Sequence, residues 1–196
     1  EKGSLNCSID GKNTNDIINP FSLVSGGEVL QCNIISNIPT RYLKPGQTNI
    51  EILYIHAQDT NIGHMLKKLN IYNNYSGIYT WVSSNDINVI KIWDDNGTQT
   101  GKWDINDTFV ANINNSGISV WTNYSISNDI YNSGNGKNYL LTMDISPVAS
   151  DYKAFAPMIY NYEMECYSGG VNITQLKNNY NDYFLIYSGN AIYANQ

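Results

Sequence analysis

The chain of 196 residues carries a formal net charge of −6, and only 14% of its residues are charged. The acidic balance and the absence of a basic stripe argue against binding to nucleic acid and against docking on an anionic membrane, because both depend on clustered Lys and Arg. The polarity comes instead from Asn, Ser, Thr and 16 Tyr residues. This composition is typical of an extracellular protein that meets uncharged partners.

Alternation of apolar and polar residues with a period of two predicts strands along most of the chain. Turn sequences rich in Gly, Asn and Ser separate these segments. The predicted strands are, in chain order, residues 27–35, 49–56, 77–82, 88–93, 108–113, 117–127, 138–145, 152–166 and 183–193. Residues 63–70 have the only helix-like spacing, and they have too few apolar positions to predict a helix.

The alternation also predicts which side chains face the core. In residues 117–127, Val120, Thr122 and Tyr124 fall on the inward side, and Trp121 falls on the polar side. In residues 152–166, the even-numbered positions share one face. Trp81 is expected in the core.

Many short strands separated by turns are typical of an antiparallel sandwich and not of alternating βαβ units. No linker divides the chain, and no run of about 18 apolar residues predicts a membrane-spanning helix. We therefore predict one all-β domain over residues 1–196, an elongated antiparallel β-sandwich of immunoglobulin-like or jelly-roll type, without membrane insertion.

Cys7, Cys32 and Cys166 each fall on the apolar side of the local alternation. One disulfide and one unpaired thiol would fit a secreted domain, and Cys7 and Cys32 are the pair closest in sequence. Three buried free thiols are the alternative.

Residues 91–109, KIWDDNGTQTGKWDINDTF, contain nearly the same pattern twice. Each copy places an indole beside carboxylates and an amide, which suits a neutral sugar: the aromatic plane contacts its C–H face, and the polar groups bind its hydroxyls. The predicted ligand-binding residues are Trp93, Asp94, Asp95, Asn96, Trp103, Asp104 and Asn106. Trp121 is an additional candidate platform, with packing beneath a loop as its commoner alternative.

A structural role for the same segment is an equally weighted alternative. Asn96-Gly97 is a strong turn signal, since Asn-Gly supplies a positive φ. The strand at residues 88–93 would then return through residues 102–105. The spacing of Asp104, Asn106 and Thr108 also resembles the start of a calcium loop, but it lacks the glycine and the distant Glu.

No catalytic motif is present, and the two histidines, His56 and His64, do not have the spacing of a strong metal motif. We expect no enzymatic activity, no cofactor and no metal. Paired carboxylates from distant strands keep a glycan-processing enzyme as an alternative.

Four features together resemble a known family: Cys7 near the N-terminus, Cys32 after SGGEVLQCN, the Asn-, Ser- and Tyr-rich β body, and the final strand YFLIYSGNAIY. This layout resembles the N-terminal lectin domain of two-domain chaperone–usher fimbrial tip adhesins. The resemblance implies a β-sandwich that binds host glycans through loops, a disulfide near the N-terminus, and a pilin domain after Gln196 that joins other fimbrial subunits.

The expected function is therefore attachment to a host glycan or glycoprotein receptor at a cell surface or fimbrial tip. The alternative is a viral or eukaryotic secreted glycoprotein domain that binds a protein partner. Seven Asn-X-Ser/Thr sequons favour that alternative; they begin at Asn6, Asn74, Asn96, Asn106, Asn114, Asn123 and Asn172. The abundance of Asn accounts for about four such sequons by chance.

Overall fold

The computed structural model describes residues 22–25, 28–35, 41–59, 65–117, 120–129, 137–159, 164–167 and 183–189. Cys7 and His64 lie outside these ranges, as does the end of the predicted strand at residues 183–193, from residue 190 onward. The backbone positions of Cys32 and Cys166 are described, but their side chains are not. The predicted Cys7–Cys32 disulfide therefore lies outside the described part of the structure.

Within these ranges the chain forms fifteen strands and no helix. The strands are β1 (Ser22–Ser25), β2 (Glu28–Ile35), β3 (Arg41–Leu43), β4 (Ile50–Asp59), β5 (Met65–Asn73), β6 (Thr80–Trp81), β7 (Ile87–Asp94), β8 (Thr108–Gly117), β9 (Val120–Asn123), β10 (Asn128–Asp129), β11 (Lys137–Ile145), β12 (Lys153–Phe155), β13 (Pro157–Met158), β14 (Met164–Tyr167) and β15 (Phe184–Ile186). The all-β prediction is confirmed.

The larger sheet is antiparallel throughout its described pairings and follows the order β1-β2-β4-β11-β7-β8-β9-β5-β10, with β13 and β14 also paired to β5. Strand β8 joins its two halves: the residues up to Ile113 pair with β7, and Asn114 to Gly117 pair with β9. The long strand lets one continuous sheet wrap around a core.

The smaller sheet has the order β3-β15-β12-β6. Its central pair, β12 and β15, is antiparallel, whereas β15 with β3 and β12 with β6 are parallel. This mixture departs from the antiparallel sandwich that the alternation predicted. The two sheets enclose the main core in a sandwich or near-barrel arrangement.

The main core is built from Ile, Leu and aromatic side chains of both sheets. Leu53 on β4, Leu141 on β11 and Ile92 on β7 represent the larger sheet, and Phe155 on β12 and Phe184 on β15 represent the smaller one. β-Branched and aromatic side chains pack well on a pleated surface, which explains why these segments form strands.

The helix-like segment at residues 63–70 is a strand from Met65 onward. Both edges of β5 are occupied along most of its length, by β9 and β10 on one side and by β14 and β13 on the other. Pairing with distant strands overrides the weak local spacing.

Three predictions of side-chain orientation are wrong. Trp121 lies in the core at 0% exposure, whereas Trp81 is 48% exposed and Tyr124 is exposed. Trp121 pairs with Ile71 of β5, which is itself in the core, so the pairing of β9 with β5 turns the indole inward.

The predicted strand at residues 152–166 is broken into β12, β13 and β14. Residues 154–159 are all buried, so no alternation between core and solvent exists there. Tyr152 has a φ of 60°, outside the β region, and this conformation ends the strand on its N-terminal side.

Candidate functional site

The doubled segment lies where β7 and β8 are joined by residues 95–107, here called the β7–β8 loop. Trp93 pairs with Phe109 and Asp94 pairs with Thr108. The predicted return strand at residues 102–105 is therefore wrong, because those residues belong to the loop. The positive φ predicted for the Asn96-Gly97 pair is also wrong; the positive-φ residue of this loop is Gly101, at 73°.

The loop folds back over the outer face of the larger sheet. Tyr54, Leu140, Trp93 and Phe109 are cross-strand neighbours on β4, β11, β7 and β8, so they form one row on that face. The Trp103 ring stands edge-on to Trp93, with 5.8 Å between ring centroids. Leu140 is only 1% exposed although it lies outside the main core. The row is therefore a small packed layer, except that Phe109 at its end stays half-exposed.

Asp104 is held by groups of its own loop. Its Oδ2 accepts hydrogen bonds from the backbone N–H of Thr98 at 2.7 Å and of Gln99 at 3.1 Å, and from the Thr98 hydroxyl at 2.8 Å. Its Oδ1 accepts from the N–H of Asn106 at 2.8 Å. Carboxylates commonly satisfy turn N–H groups in this way, so Asp104 organises the loop.

Asp107 is buried and fixes the two ends of the same turn. Its Oδ1 accepts from the N–H of Gly97 at 2.9 Å, and its Oδ2 accepts from the N–H of Asp104 at 2.8 Å. The carboxylate thereby satisfies two backbone donors that the irregular loop leaves without a strand partner.

Asn96 and Asp94 are also paired. The amide of Asn96 donates to the Thr108 hydroxyl at 3.0 Å and accepts from the Thr108 N–H at 3.1 Å. The Asp94 carboxylate lies 2.8 Å from the Lys137 ammonium. These contacts close the base of the loop against β8 and β11.

Asp95 joins the loop to the sheet beneath it. Its Oδ2 accepts from the N–H of Gly101 at 2.9 Å, and its carboxylate is hydrogen-bonded to the Tyr54 hydroxyl. Burial raises the pKa of the Tyr54 phenol, and the Asp95 charge raises it further. The Asp95 Oδ1 and the Trp103 indole nitrogen are buried and have no protein hydrogen-bond partner.

The structure brings seven of the eight predicted site residues together in and beside this loop. Trp121 does not belong to the site, because its indole is in the core and packs edge-on against Phe155, with ring centroids 5.1 Å apart. Trp93 and Trp103 are half-buried, whereas Asn96 and Asn106 are exposed. The side chains that face solvent are therefore mainly amides and hydroxyls, since the acids bind the loop itself.

Sequence reasoning missed three residues that shape this site: Phe109, Tyr54 and Lys137. Phe109 is 50% exposed, and its ring stands edge-on to Trp93 at 5.4 Å between centroids. The alternation in residues 108–113 could have placed Phe109 on the outer face. No local signal points to Tyr54 or Lys137, which come from strands distant in sequence.

The acids of the loop differ in the direction of their pKa shifts. Burial raises the pKa of Asp95 above its ordinary value of 3.8, and the Asp107 and Asp104 charges raise it further, whereas hydrogen bonds from Gly101 and Tyr54 lower it. The pKa of Asp104 is lowered, first by the hydrogen bond from the Asn106 N–H and then by the Thr98 hydroxyl. The surroundings of Asp95 therefore disfavour its ionised form, whereas the surroundings of Asp104 favour its ionised form.

These directions predict opposite effects for two matched substitutions. A raised folded-state pKa means that the contribution of Asp95 to stability is present below its unfolded pKa and is lost as the pH rises through the folded pKa. We therefore expect Asp95→Asn to be more stable than the wild type at about pH 7, with a gain that shrinks towards about pH 4.

Asp104→Asn should behave in the opposite way. The contribution of the ionised Asp104 is present above its unfolded pKa and is lost as the pH falls through the lowered folded pKa. This variant should be less stable than the wild type at neutral pH and should approach it in acid. Urea unfolding of all three proteins across this range measures both effects, and the same sign for both variants would contradict the assignment.

No group of three or more His, Cys, Asp or Glu side chains in the described ranges is placed to hold a metal ion. The described part of the chain also contains no helix long and apolar enough to cross a membrane. Comparison of the chain with protein-family models, curated protein sequences and solved structures finds no match.

Proposed function

We propose that this chain is an extracellular carbohydrate-binding domain that acts without catalysis and binds its ligand beside the β7–β8 loop. The observation that carries the proposal is the half-exposed ring of Phe109, supported edge-on by Trp93. The preceding residue, Thr108, is hydrogen-bonded to the exposed Asn96, and the exposed Asn106 lies three residues before Phe109. An aromatic face next to amides matches the two kinds of surface that a neutral sugar presents.

Stacking and hydrogen bonding would then share the recognition. The Phe109 ring would contact the C–H face of the sugar. The Asn106 amide, together with the amide N–H of Asn96 that does not bind Thr108, would bind hydroxyl groups. The acids named from the sequence would act indirectly. Asp104 and Asp107 hold the loop, and Asp94 anchors it through Lys137.

Rigidity of the loop supports the proposal. Asp104 accepts four hydrogen bonds and Asp107 accepts two, and Trp103 packs on Trp93 below them. Because a fixed loop loses little conformational freedom when it binds, more of the interaction energy remains as affinity.

An adhesin at a cell surface or fimbrial tip is the setting we propose for this activity. The layout of the chain, described above, and its low content of charged residues suit attachment to uncharged host glycans. A single site of this size would bind weakly. Many copies on one surface would raise the effective concentration and compensate for weak individual contacts.

Phe109→Ala is the substitution that tests the site. We expect roughly 2- to 10-fold weaker binding to the best-bound neutral oligosaccharide of a glycan array, because an aromatic contact contributes about 0.5–1.5 kcal/mol. Phe109→Tyr keeps the ring and should bind like the wild type. Val148→Ala removes an exposed apolar side chain from the turn after β11 and serves as the surface control.

Two outcomes would reject the proposal. Binding that is unchanged in both Phe109→Ala and Trp103→Ala would place the ligand elsewhere. Release of labelled product from the oligosaccharides would instead show a glycan-processing enzyme.

A further inference from the structure

A second aromatic surface covers the smaller sheet on the side away from the main core. Ala154 on β12 and Leu185 on β15 form a separate apolar cluster with Tyr75, and Tyr79 and Tyr183 pack against it. Their strand neighbours Phe155 and Phe184 belong to the main core. The tyrosines therefore lie on the outer face of the smaller sheet, opposite the face that carries the β7–β8 loop.

Four tyrosines of this surface form a continuous row, here called the tyrosine strip: Tyr75, Tyr79, Tyr152 and Tyr187. The steps between successive ring centroids are 6.2, 6.4 and 5.4 Å. The first two pairs are nearly parallel, with interplanar angles of 28° and 12°, and the last pair is tilted by 45°. The result is a connected row of rings, in which Tyr75 is buried, Tyr79 and Tyr187 are partly exposed and Tyr152 is exposed.

The backbone under the strip holds the rings in place. The Tyr75 hydroxyl accepts from the Tyr79 N–H at 3.3 Å, and the Tyr75 carbonyl accepts from the Trp81 indole at 2.8 Å. The N–H of Tyr152 donates to the backbone carbonyl oxygen of Ile186 at 2.8 Å. At Gly77, an added Cβ would lie 2.1 Å from the Tyr75 hydroxyl, so only glycine leaves room for that ring.

Tyr152 is held in an unusual backbone conformation. Its φ of 60° is rare for a bulky residue, and such strain persists only where the surrounding structure enforces it. The ring is nevertheless 54% exposed, so the strained backbone presents an aromatic side chain to solvent. Strained residues cluster at functional sites, and Tyr152 therefore marks the strip as a candidate.

The chemistry of the strip is neutral and rich in hydroxyl groups. The pKa of Tyr152 is raised, first by the hydrogen bond with Tyr187 and then by nearby charges, so its phenol stays protonated at neutral pH. The neighbouring Asp151 carboxylate accepts from the N–H and the hydroxyl of Ser188, both at 2.7 Å. A ligand on this surface would therefore meet aromatic faces and phenol hydroxyls.

We propose that the tyrosine strip is a second binding surface, for a linear neutral oligosaccharide, on the side of the sandwich opposite the β7–β8 loop. The proposal rests on the proposed function, since it assigns the same class of ligand to a second site. A pyranose ring is close to a phenol ring in size, so successive sugars of one chain can contact the accessible tyrosines Tyr79, Tyr152 and Tyr187, while the buried Tyr75 supports Tyr79. A phenol can both donate hydrogen bonds to sugar hydroxyls and accept from them.

The test is the number of oligosaccharides bound per chain, measured by isothermal titration calorimetry with the best-bound neutral oligosaccharide of the array. Wild type should bind two equivalents. The double variant Tyr79→Ala with Tyr152→Ala should bind one equivalent, beside the β7–β8 loop. Phe109→Ala should weaken only this loop site and leave the tyrosine strip unchanged. Tyr124→Ala, which removes an exposed tyrosine just after β9, is the matched control and should bind two.

Tyr152→Phe with Tyr187→Phe keeps both rings and should weaken the second site by about tenfold, because two hydroxyls are lost. Circular dichroism confirms that each variant is folded.

Two results would overturn the second site and leave the proposed function intact. The first is that the double alanine variant still binds two equivalents. The second is that wild type binds a single equivalent and that Phe109→Ala weakens this binding. No binding of any neutral oligosaccharide by wild type would reject both proposals. Wild-type chains could instead associate with each other through the strip. If the double alanine variant loses this self-association and the strip binds no oligosaccharide, a second copy of the chain is the occupant and the proposal is overturned.

Discussion

Replacing Trp121 with alanine should lower the free energy of unfolding by about 3–5 kcal/mol, the usual cost of removing a large aromatic side chain from a core. The indole has 0% exposure and packs edge-on against Phe155. This contact connects β9 of the larger sheet with β12 of the smaller one. Its removal would leave a cavity where the two sheets meet. Equilibrium unfolding in urea measures the loss.

Trp81→Ala is the matched control, because it removes the same side chain from a surface position. Trp81 is 48% exposed, and its indole donates one hydrogen bond to the Tyr75 carbonyl. We expect this variant to cost about 1 kcal/mol, the usual net contribution of one hydrogen bond. Equal losses in the two variants would contradict the assignment of Trp121 to the core.

The same pair of variants also tests the binding role first considered for Trp121. If the indole were an exposed platform, alanine there would reduce oligosaccharide binding and leave the unfolding free energy nearly unchanged. The structure predicts the reverse: a large loss of stability, with binding retained in the fraction that remains folded.

Trp121 shows where sequence reasoning reaches its limit. The alternation of Ser119, Trp121 and Asn123 correctly predicts a strand, but it assigns the indole to the polar face. The face is decided by the pairing of Trp121 with Ile71, about fifty residues earlier in the chain. Shifting a strand by one residue exchanges its faces, so orientation depends on long-range register that a local pattern does not contain.

The β7–β8 loop shows the same limit for chemistry. Its Asp, Asn and Gly residues predict a turn, and the structure places a loop there. Local sequence does not decide whether Asp104 binds a ligand or the N–H groups of Thr98 and Gln99, because both roles need the same side chain. Only the folded backbone shows that the carboxylate is already engaged.

The tyrosine strip has no sequence signature at all. Its four members come from three separate segments, and they meet only because β6, β12 and β15 are neighbours in the smaller sheet. A count of 16 tyrosines suggests an aromatic surface, but it gives no position for one.

Gly97→Ala is the second substitution with a large expected effect, about 1–3 kcal/mol of stability, as for other changes that overfill a packed site. A Cβ at this position would lie 2.6 Å from Asp104 Oδ1, 2.7 Å from Asp104 Oδ2 and 2.7 Å from Asp107 Oδ1. Neither carboxylate can move away freely, because each accepts hydrogen bonds from the loop backbone. The loop must therefore rearrange, and thermal or urea unfolding will report the cost.

Gly117→Ala is the matched control, since nothing lies within 4 Å of a Cβ added there and Gly117 ends the same strand that begins after the loop. It should leave stability within about 0.5 kcal/mol of wild type.

The comparison of these two variants also tests whether the loop supports binding. If Asp104 and Asp107 hold the site beside Phe109, Gly97→Ala should weaken oligosaccharide binding at temperatures where the protein is fully folded, and Gly117→Ala should not. Loss of stability with full binding in Gly97→Ala would mean that the loop serves the fold alone and that the ligand binds elsewhere.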